Sequence, residues 1–460
     1  MQPSKVQKLR KKYQKFIYKG YSWKISGNNL KIFFNFQIKP GISFKPAITI
    51  KNINKPSIRK IEERVLNNFI FHLGLMEIPS YWKTTCSSEI EIQAGPLDKE
   101  QIRWWKDLII NGMGQFFYEN NFDFTRPNFL TIKPDKQKAH LTRLNLVKLN
   151  EEKILIPVGG GKDSAVTLEI FKKAKKDIKC FLLNPTTAAL KIIRISGVKN
   201  PIIVERKIDK KLLELNRKGF LNGHTPFSAY LAFLSSFLAL IFDFKYIAVS
   251  NERSSNEGNV KYRGKIINHQ YSKSFDFEKK FRDYSKKYLA RDIEYFSFLR
   301  PFYEIQIAKV FSRYEKYFSV FRSCNKGQKK NTWCARCPKC LFVFAILYPF
   351  LGERKLVKIF GENLFKKKEL LPIILELIGE RKFKPFECVG TKKESLIGFY
   401  LSWKEVNRIK GKPFLLKYFE KKILPKYKNL ERESKRMLNS WNNQHDLPSG
   451  LDKSLRSAII

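Results

Sequence analysis

Residues 154–171 read ILIPVGGGKDSAVTLEIF. An apolar run suited to a short buried strand ends at Val158 in three glycines. After Lys162, Asp163 and Ser164 the apolar residues return at helical spacing. Strand, glycine-rich turn and helix start make an anion-binding arrangement. Glycines let the backbone approach a phosphate, and a helix N-terminus offers unpaired N–H groups with a partial positive charge. The spacing is that of neither common nucleotide loop. A Walker A loop needs four residues between its first glycine and Gly-Lys-[Ser/Thr], and a dinucleotide fingerprint needs G-x-G-x-x-G.

Outward from this stretch, strands and helices alternate. KILIPV, IKCFLLNP, NPIIVERKI and KYIAVSNE read as short strands, SAVTLEIFKKA and TPFSAYLAFLSSFLALIF as helices. The pattern predicts an α/β fold, a parallel sheet with helices on both faces. Ligands of such sheets bind beyond the carboxyl ends of the strands. Gly159, Gly160, Gly161, Lys162, Asp163 and Ser164 fall there, as do Asn184 and the run Ser250, Asn251, Glu252, Arg253. Upstream, NLKIFFNFQI and ISFKPAITIKNI alternate around Lys-Pro-Gly and predict a β-hairpin. Residues 58–78 and 98–121 have helical spacing, the second starting at an Asp98 N-cap. The expected organisation is an α+β N-terminal domain (1–148), the α/β domain (149–312), and a cysteine-rich segment followed by helices with basic faces (313–460).

The chain of 460 residues carries 89 Lys+Arg against 42 Asp+Glu, a net charge of +47. That excess suits nucleic acid or a polyanionic substrate. It is spread along the chain, and abundant Lys, Ile, Asn, Phe and Tyr match an AT-rich genome, so charge alone does not choose the partner. The basic run at 421–437 reads as a solvated face. The most apolar stretch, 229–242, is shorter than the roughly 20 residues of a membrane span. The N-terminal residues lack the apolar core of a signal peptide. A cytoplasmic protein without membrane insertion is expected, in which seven cysteines favour metal or catalytic roles over disulfides.

Four of those cysteines are spaced C-x9-C-x2-C-x2-C: Cys324, Cys334, Cys337 and Cys340. Four thiolates close a tetrahedral shell around Zn²⁺, leaving no open position, so the site is structural.

The loop GGGKDS resembles the S-G-G-x-D-S loop of the PP-loop, or N-type, ATP pyrophosphatases, which have an adenine nucleotide alpha hydrolase-like fold and cleave ATP to AMP and pyrophosphate. Gly159 stands where that loop has its first serine; the other positions match. The resemblance implies that the backbone amides and Ser164 cradle pyrophosphate and that Asp163 helps place Mg²⁺. A cysteine cluster very similar to this one follows the PP-loop domain of the 7-cyano-7-deazaguanine synthases. The blocks FHLGLMEIPSYWK (71–83), PVGGGKDS (157–164), NGHTPFSA (222–229), SNERSSNEGNV (250–260), NHQYSKSFDFE (268–278), CARCPKCLFVF (334–344) and KPFECVGT (384–391) together resemble the MurL family of ATP-dependent epimerases. The resemblance spans about residues 70–400. It implies inversion of the terminal L-glutamate of UDP-N-acetylmuramoyl-L-alanyl-L-glutamate in peptidoglycan precursor synthesis, with ATP, Mg²⁺ and structural Zn²⁺.

Proton transfer at Cα needs groups that titrate near the working pH. His224 and His269 lie in blocks expected to line the site. Cys388, with Cys86, is a thiol candidate, though a buried apolar role suits cysteine better. Arg253 is expected to clamp a carboxylate or phosphate. Two other readings stay open: a PP-loop enzyme modifying a nucleobase or tRNA, and a zinc-containing nucleic-acid-binding protein, which would leave GGGKDS without a role.

Overall fold

The computed structural model describes residues 5–134, 149, 153–406 and 411–458. The boundary expected at 148/149 adjoins residues outside this set. The chain forms two compact units, each drawn from three stretches: 1–155, 202–247 and 261–295 in the first, and 156–201, 248–260 and 296–460 in the second.

In the first unit the expected hairpin is part of a larger sheet. Asn29–Lys39 pairs antiparallel with Ile42–Phe44 and Ala47–Ile50 on one side and with Lys15–Ser26 on the other. Its alternation buries Leu30, Ile32, Phe34, Phe36 and Ile38. Glu89–Ile92 and Thr131–Pro134 extend the sheet in parallel beyond Lys15–Ser26, and Ile202–Lys207 pairs antiparallel with Ala47–Ile50. Two helices, Glu63–Trp82 and Phe227–Phe242, are apolar almost all round and buried along most of their length. They meet through Phe69 and Phe237, with ring centroids 5.8 Å apart. Asp98 caps Lys99–Gly112 in a reciprocal capping box with Gln101, as its position predicts. That helix stops at Gly112, and Gly114–Glu119 follows as a separate turn of helix. Among the described residues no helix is long and apolar enough to cross a membrane.

The strand that carries the glycines, Lys153–Pro157, enters the second unit at Ile156; it lies between Asp177–Leu183 and Tyr246–Glu252, parallel to the latter, with Glu294–Leu299 beyond. The Val158 N–H donates to the Phe181 carbonyl at 3.1 Å, so the loops after both strands leave from the same end. Helix Lys162–Lys173 follows the glycines, and Thr187–Ser196, N-capped by Thr186, follows Asp177–Leu183. Pro338 opens the long helix Pro338–Phe360 directly after Cys337. This helix bends at Gly352, where φ is +71°. Lys392–Val406 packs beside it, and Ser402 Oγ donates to the Ala345 carbonyl at 3.0 Å. In the basic C-terminal run, Leu430–Leu438 buries Leu430, Ser434 and Met437 and exposes Lys435 and Arg436.

Candidate functional site

The glycine loop is shaped by what lies against it. Gly160 has φ +92°, and a Cβ there would sit 2.8 Å from the Ala189 nitrogen and 3.0 Å from the Ala188 Cβ. Only glycine fits this close approach to helix Thr187–Ser196. Gly159 is different, since a Cβ there meets nothing within 4 Å. The serine of the PP-loop pattern is therefore not excluded by packing at Gly159. The Gly159 N–H donates to Ser164 Oγ at 3.3 Å, and the Arg322 N–H donates to the Gly160 carbonyl at 2.9 Å. Helix Lys162–Lys173 begins here, and its first N–H groups have no intrahelical acceptors. The turn can seat an oxyanion.

Below the loop lies a buried ion cluster within the same unit. Lys162, 3% exposed, pairs with both Asp163 and Glu304. Lys339 lies 3.7 Å from Glu304 and donates to the Cys388 carbonyl. Burial pulls the Lys162 ammonium down, but Asp163 and Glu304 outweigh it and hold its pKa above that of an ordinary lysine. Burial, opposed by Lys162 and aided by Glu304, raises Asp163. Glu394 is fully buried, and burial raises its carboxyl too. It forms a capping box with Thr391, accepting from the Thr391 N–H at 2.6 Å while its own N–H donates to Thr391 Oγ1 at 3.1 Å. Sequence reasoning missed Glu304, Lys339 and Glu394. Lys339 carried a usable signal, because it sits between the last two cysteines in C-P-K-C.

The four expected cysteines come together. Their sulfurs all lie within 4.8 Å of one another, with Cys324–Cys337 at 3.9 Å, Cys334–Cys340 at 3.7 Å and Cys337–Cys340 at 3.5 Å. Tetrahedral zinc thiolates require S···S separations of about 3.8 Å. The soft donor set and its spacing therefore fit Zn²⁺. Hydrogen bonding from Cys340 pulls Cys337 down to about 5, against its burial, favouring a thiolate. The cysteine segment also builds the surroundings of the loop: Arg322 and Ser323 precede Cys324 and lie against Gly160 and Gly161, while Lys339 joins the ion cluster.

The other expected nucleotide-site residues of this unit follow their strands. Asn184 leaves Asp177–Leu183 with φ +45°. Ser250 Oγ is 2.9 Å from Thr167 Oγ1, and Asn251 Nδ2 donates to Ser297 Oγ at 3.2 Å. Glu252 is buried, and its carbonyl accepts from Arg300, which is also buried, at 2.7 Å. The Arg253 guanidinium lies 4.1 Å from the centre of the Tyr303 ring. Cys388 is half-buried. Cys86, in the first unit, is fully buried, and burial drives its thiol up to about 12, the behaviour of an inert core cysteine.

His224 and His269 meet in the first unit, with ring centroids 4.5 Å apart. Gly223 makes the turn before His224 with φ +151°, and a Cβ there would meet the Phe116 ring at 3.0 Å. Glu119 accepts from Gln115 Nε2 at 2.7 Å, which turns the Gln115 carbonyl oxygen toward His269 Nδ1 at 2.5 Å. Nδ1 of His269 therefore carries the proton. Burial, then His269, Lys83 and Lys273, lowers His224 to about 3, so its ring is neutral at pH 7. Its Nε2 is buried without a hydrogen-bond partner among the described residues. His72 shows the opposite case: its Nδ1 lies 2.8 Å from the Asn68 carbonyl and its Nε2 lies 2.9 Å from the Tyr284 hydroxyl. It is a satisfied core histidine.

An α/β unit whose glycine loop can seat an oxyanion, with a four-thiol metal site built against it, points to an enzyme. The comparisons give its class: the chain is an isomerase of the epimerase kind, as are the curated proteins it matches. It belongs to the MurL family, with the MurL N-terminal domain matching residues 7–298 and the MurL C-terminal domain residues 320–430. The UDP-N-acetyl-alpha-D-muramoyl-L-alanyl-L-glutamate epimerase of Micromonospora sp. is 32% identical over 326 residues, 70% of this chain and 72% of that protein. The enzymes of the same name from Salinispora tropica and Xanthomonas oryzae pv. oryzae are each 31% identical, over 75% and 72% of this chain and 76% and 75% of their own lengths. No solved structure matches the chain.

Proposed function

We propose that the chain is a cytoplasmic, ATP-dependent enzyme of peptidoglycan precursor synthesis that converts the terminal L-glutamate of UDP-N-acetylmuramoyl-L-alanyl-L-glutamate to D-glutamate. The observation that carries this reading is the coincidence of kinship to epimerases of that name over 70–75% of the chain with a glycine loop shaped for an oxyanion.

The Cα hydrogen beside an ionised carboxylate is a very weak acid, because its removal piles charge on charge. In the proposed reaction the substrate carboxylate attacks the α-phosphorus of ATP, the bond to the β-phosphate oxygen breaks, and pyrophosphate leaves. The acyl adenylate has lost its negative charge, so a base removes the Cα proton and an acid returns one to the opposite face. Water then attacks the acyl carbon and releases AMP. Because the glutamate nitrogen is acylated, the activated carboxyl can also close to an oxazolone, whose Cα hydrogen is more acidic still.

Each residue then has an assigned part. Gly159, Gly160, Gly161 and Ser164 receive the leaving pyrophosphate, with Lys162 holding the loop in register through Glu304. Asp163 and Glu304 offer the hard oxygen donors that suit Mg²⁺, which screens phosphate charge when bound. Asn184, Ser250, Asn251 and Glu252 flank the nucleotide, and Arg253 clamps a carboxylate or phosphate. His224 and His269 serve proton transfer, with Cys388 as the thiol candidate. Cys324, Cys334, Cys337 and Cys340 would hold Zn²⁺, and with it bound their segment would keep Lys339 and Arg322 in place.

The test incubates the protein with substrate, ATP and Mg²⁺ and measures pyrophosphate and glutamate configuration after acid hydrolysis. Substrate-dependent pyrophosphate with D-glutamate is expected, and Ser164→Ala should suppress both. Pyrophosphate without D-glutamate would move the assignment to another PP-loop chemistry.

A further inference from the structure

Three basic groups converge in the first unit. Lys83 ends the block FHLGLMEIPSYWK, immediately after helix Glu63–Trp82, and its Nζ donates to the Gly223 carbonyl at 2.9 Å. That carbonyl belongs to the residue preceding His224, whose ring faces His269. All three side chains are half-buried. Among the described residues Lys83 has no carboxylate within ion-pair distance, and a backbone carbonyl is its hydrogen-bond acceptor. The neighbouring charges are accounted for. Arg206 is held by Glu77 in a bidentate pair at 2.7 and 2.6 Å; Glu119 accepts from the neutral Gln115 and keeps its charge, its Oε2 3.5 Å from where a Gly223 Cβ would lie, yet makes no ion pair with Lys83 among the described residues. Lys273 adds a further positive charge near His224.

A half-buried ammonium without a counter-charge is costly, as is a buried imidazole nitrogen without a partner. Both are placed where an external oxyanion would satisfy them. Gly223 fixes their approach, because its positive φ and the Phe116 ring exclude a side chain there. Gln115 fixes the His269 tautomer, with Nδ1–H toward Gln115.

We propose that Lys83, His224 and His269 form an oxyanion subsite that receives a carboxylate or a phosphoryl group of the substrate. The proposal rests on the epimerase reading for its ligand, which carries both kinds of group. Lys83 supplies the positive charge of the subsite; the histidines supply N–H donors, and His224 takes up a proton as the anion arrives. Burial first, with Arg206, lowers Lys83 to about 8, and burial likewise lowers His224 to about 3 in the free protein. An arriving anion reverses both tendencies.

The experiment titrates the full chain, without ATP, with two probes: uridine diphosphate and N-acetyl-L-glutamate. Ring-proton NMR signals of the five histidines are followed, assigned by single substitution. One or both probes should shift His224 and His269 and leave His72 unmoved. Lys83→Gln should raise the half-saturating concentration at least tenfold, while Lys83→Arg should stay within about threefold, separating lost charge from lost folding. Response to uridine diphosphate alone assigns the phosphoryl group; response to N-acetyl-L-glutamate alone assigns the carboxylate. Unmoved rings with both probes, or equal half-saturation in Lys83→Gln, would overturn the subsite. The outcome is independent of D-glutamate formation: an inactive protein whose rings respond keeps the subsite and loses the reaction, and an active one indifferent to Lys83→Gln loses only the subsite.

Discussion

Two charged clusters of this protein are built on opposite plans. Around the glycine loop, Lys162, Glu304 and Lys339 are buried and Asp163 is partly exposed, and the four neutralise one another. Around His224 and His269, Lys83 rests on a carbonyl and His224 Nε2 on nothing. A cluster complete in itself fixes geometry. A cluster lacking counter-charge has its free energy of binding still to be realised. The first plan suits a loop that must hold one shape, the second a subsite that must hold a ligand.

The largest effect expected from breaking the first plan is metal removal. Chelation should release about one equivalent of zinc and destabilise the second unit by more than about 3 kcal/mol, since structural zinc binding is folding free energy. Metal analysis and urea unfolding before and after chelation measure this, and an unchanged midpoint would separate the cysteines from the fold. Next comes Glu304→Ala, which leaves Lys162 buried with Asp163 alone. It should cost about 3 kcal/mol in urea unfolding, and pyrophosphate release should fall along with stability. Ser164→Ala sharpens the contrast. It should lower pyrophosphate release about 100-fold, the scale of one lost donor at a developing oxyanion, with the unfolding midpoint unchanged. Gly159→Ser enters open space and should change stability by less than about 0.5 kcal/mol, while pyrophosphate release holds or rises.

The smallest expected effect probes the second plan. The folded-state pKa of His224, about 3, lies below its ordinary value of 6.5. Between these values the unfolded chain binds a proton that the folded chain refuses. Stability therefore falls as pH drops from 6.5 toward 3 and owes nothing to this group's titration above 6.5. Urea midpoints near pH 7 and pH 5 should differ less in His224→Gln than in the parent. Equal differences would mean that His224 titrates normally.

Much of the first cluster was legible in the sequence because its parts are local. Strand, glycine turn and helix start occupy consecutive residues, and metal ligation leaves a spacing that survives in one dimension. Asp98 likewise announced its helix, since a capping box is complete within four residues. Lys15–Ser26 escapes the hairpin pattern because its apolar residues do not alternate cleanly: Phe16, Ile17 and Tyr18 are buried in succession. Glu304 was invisible. It reaches Lys162 across 142 residues, and no rule of periodicity marks which carboxylate among 42 will do so.

By itself, then, the sequence determined the glycine loop, the four thiols and the helices that start at them, because backbone conformation and chelate spacing are set by neighbours in the chain. Tertiary structure alone decided that Lys339 of the C-P-K-C knuckle would join the ion cluster, that Gln115 would set the His269 tautomer, and that Lys83 would rest on the Gly223 carbonyl. Charge compensation is a property of volume. It depends on which distant side chains are buried together, and only the folded chain specifies that.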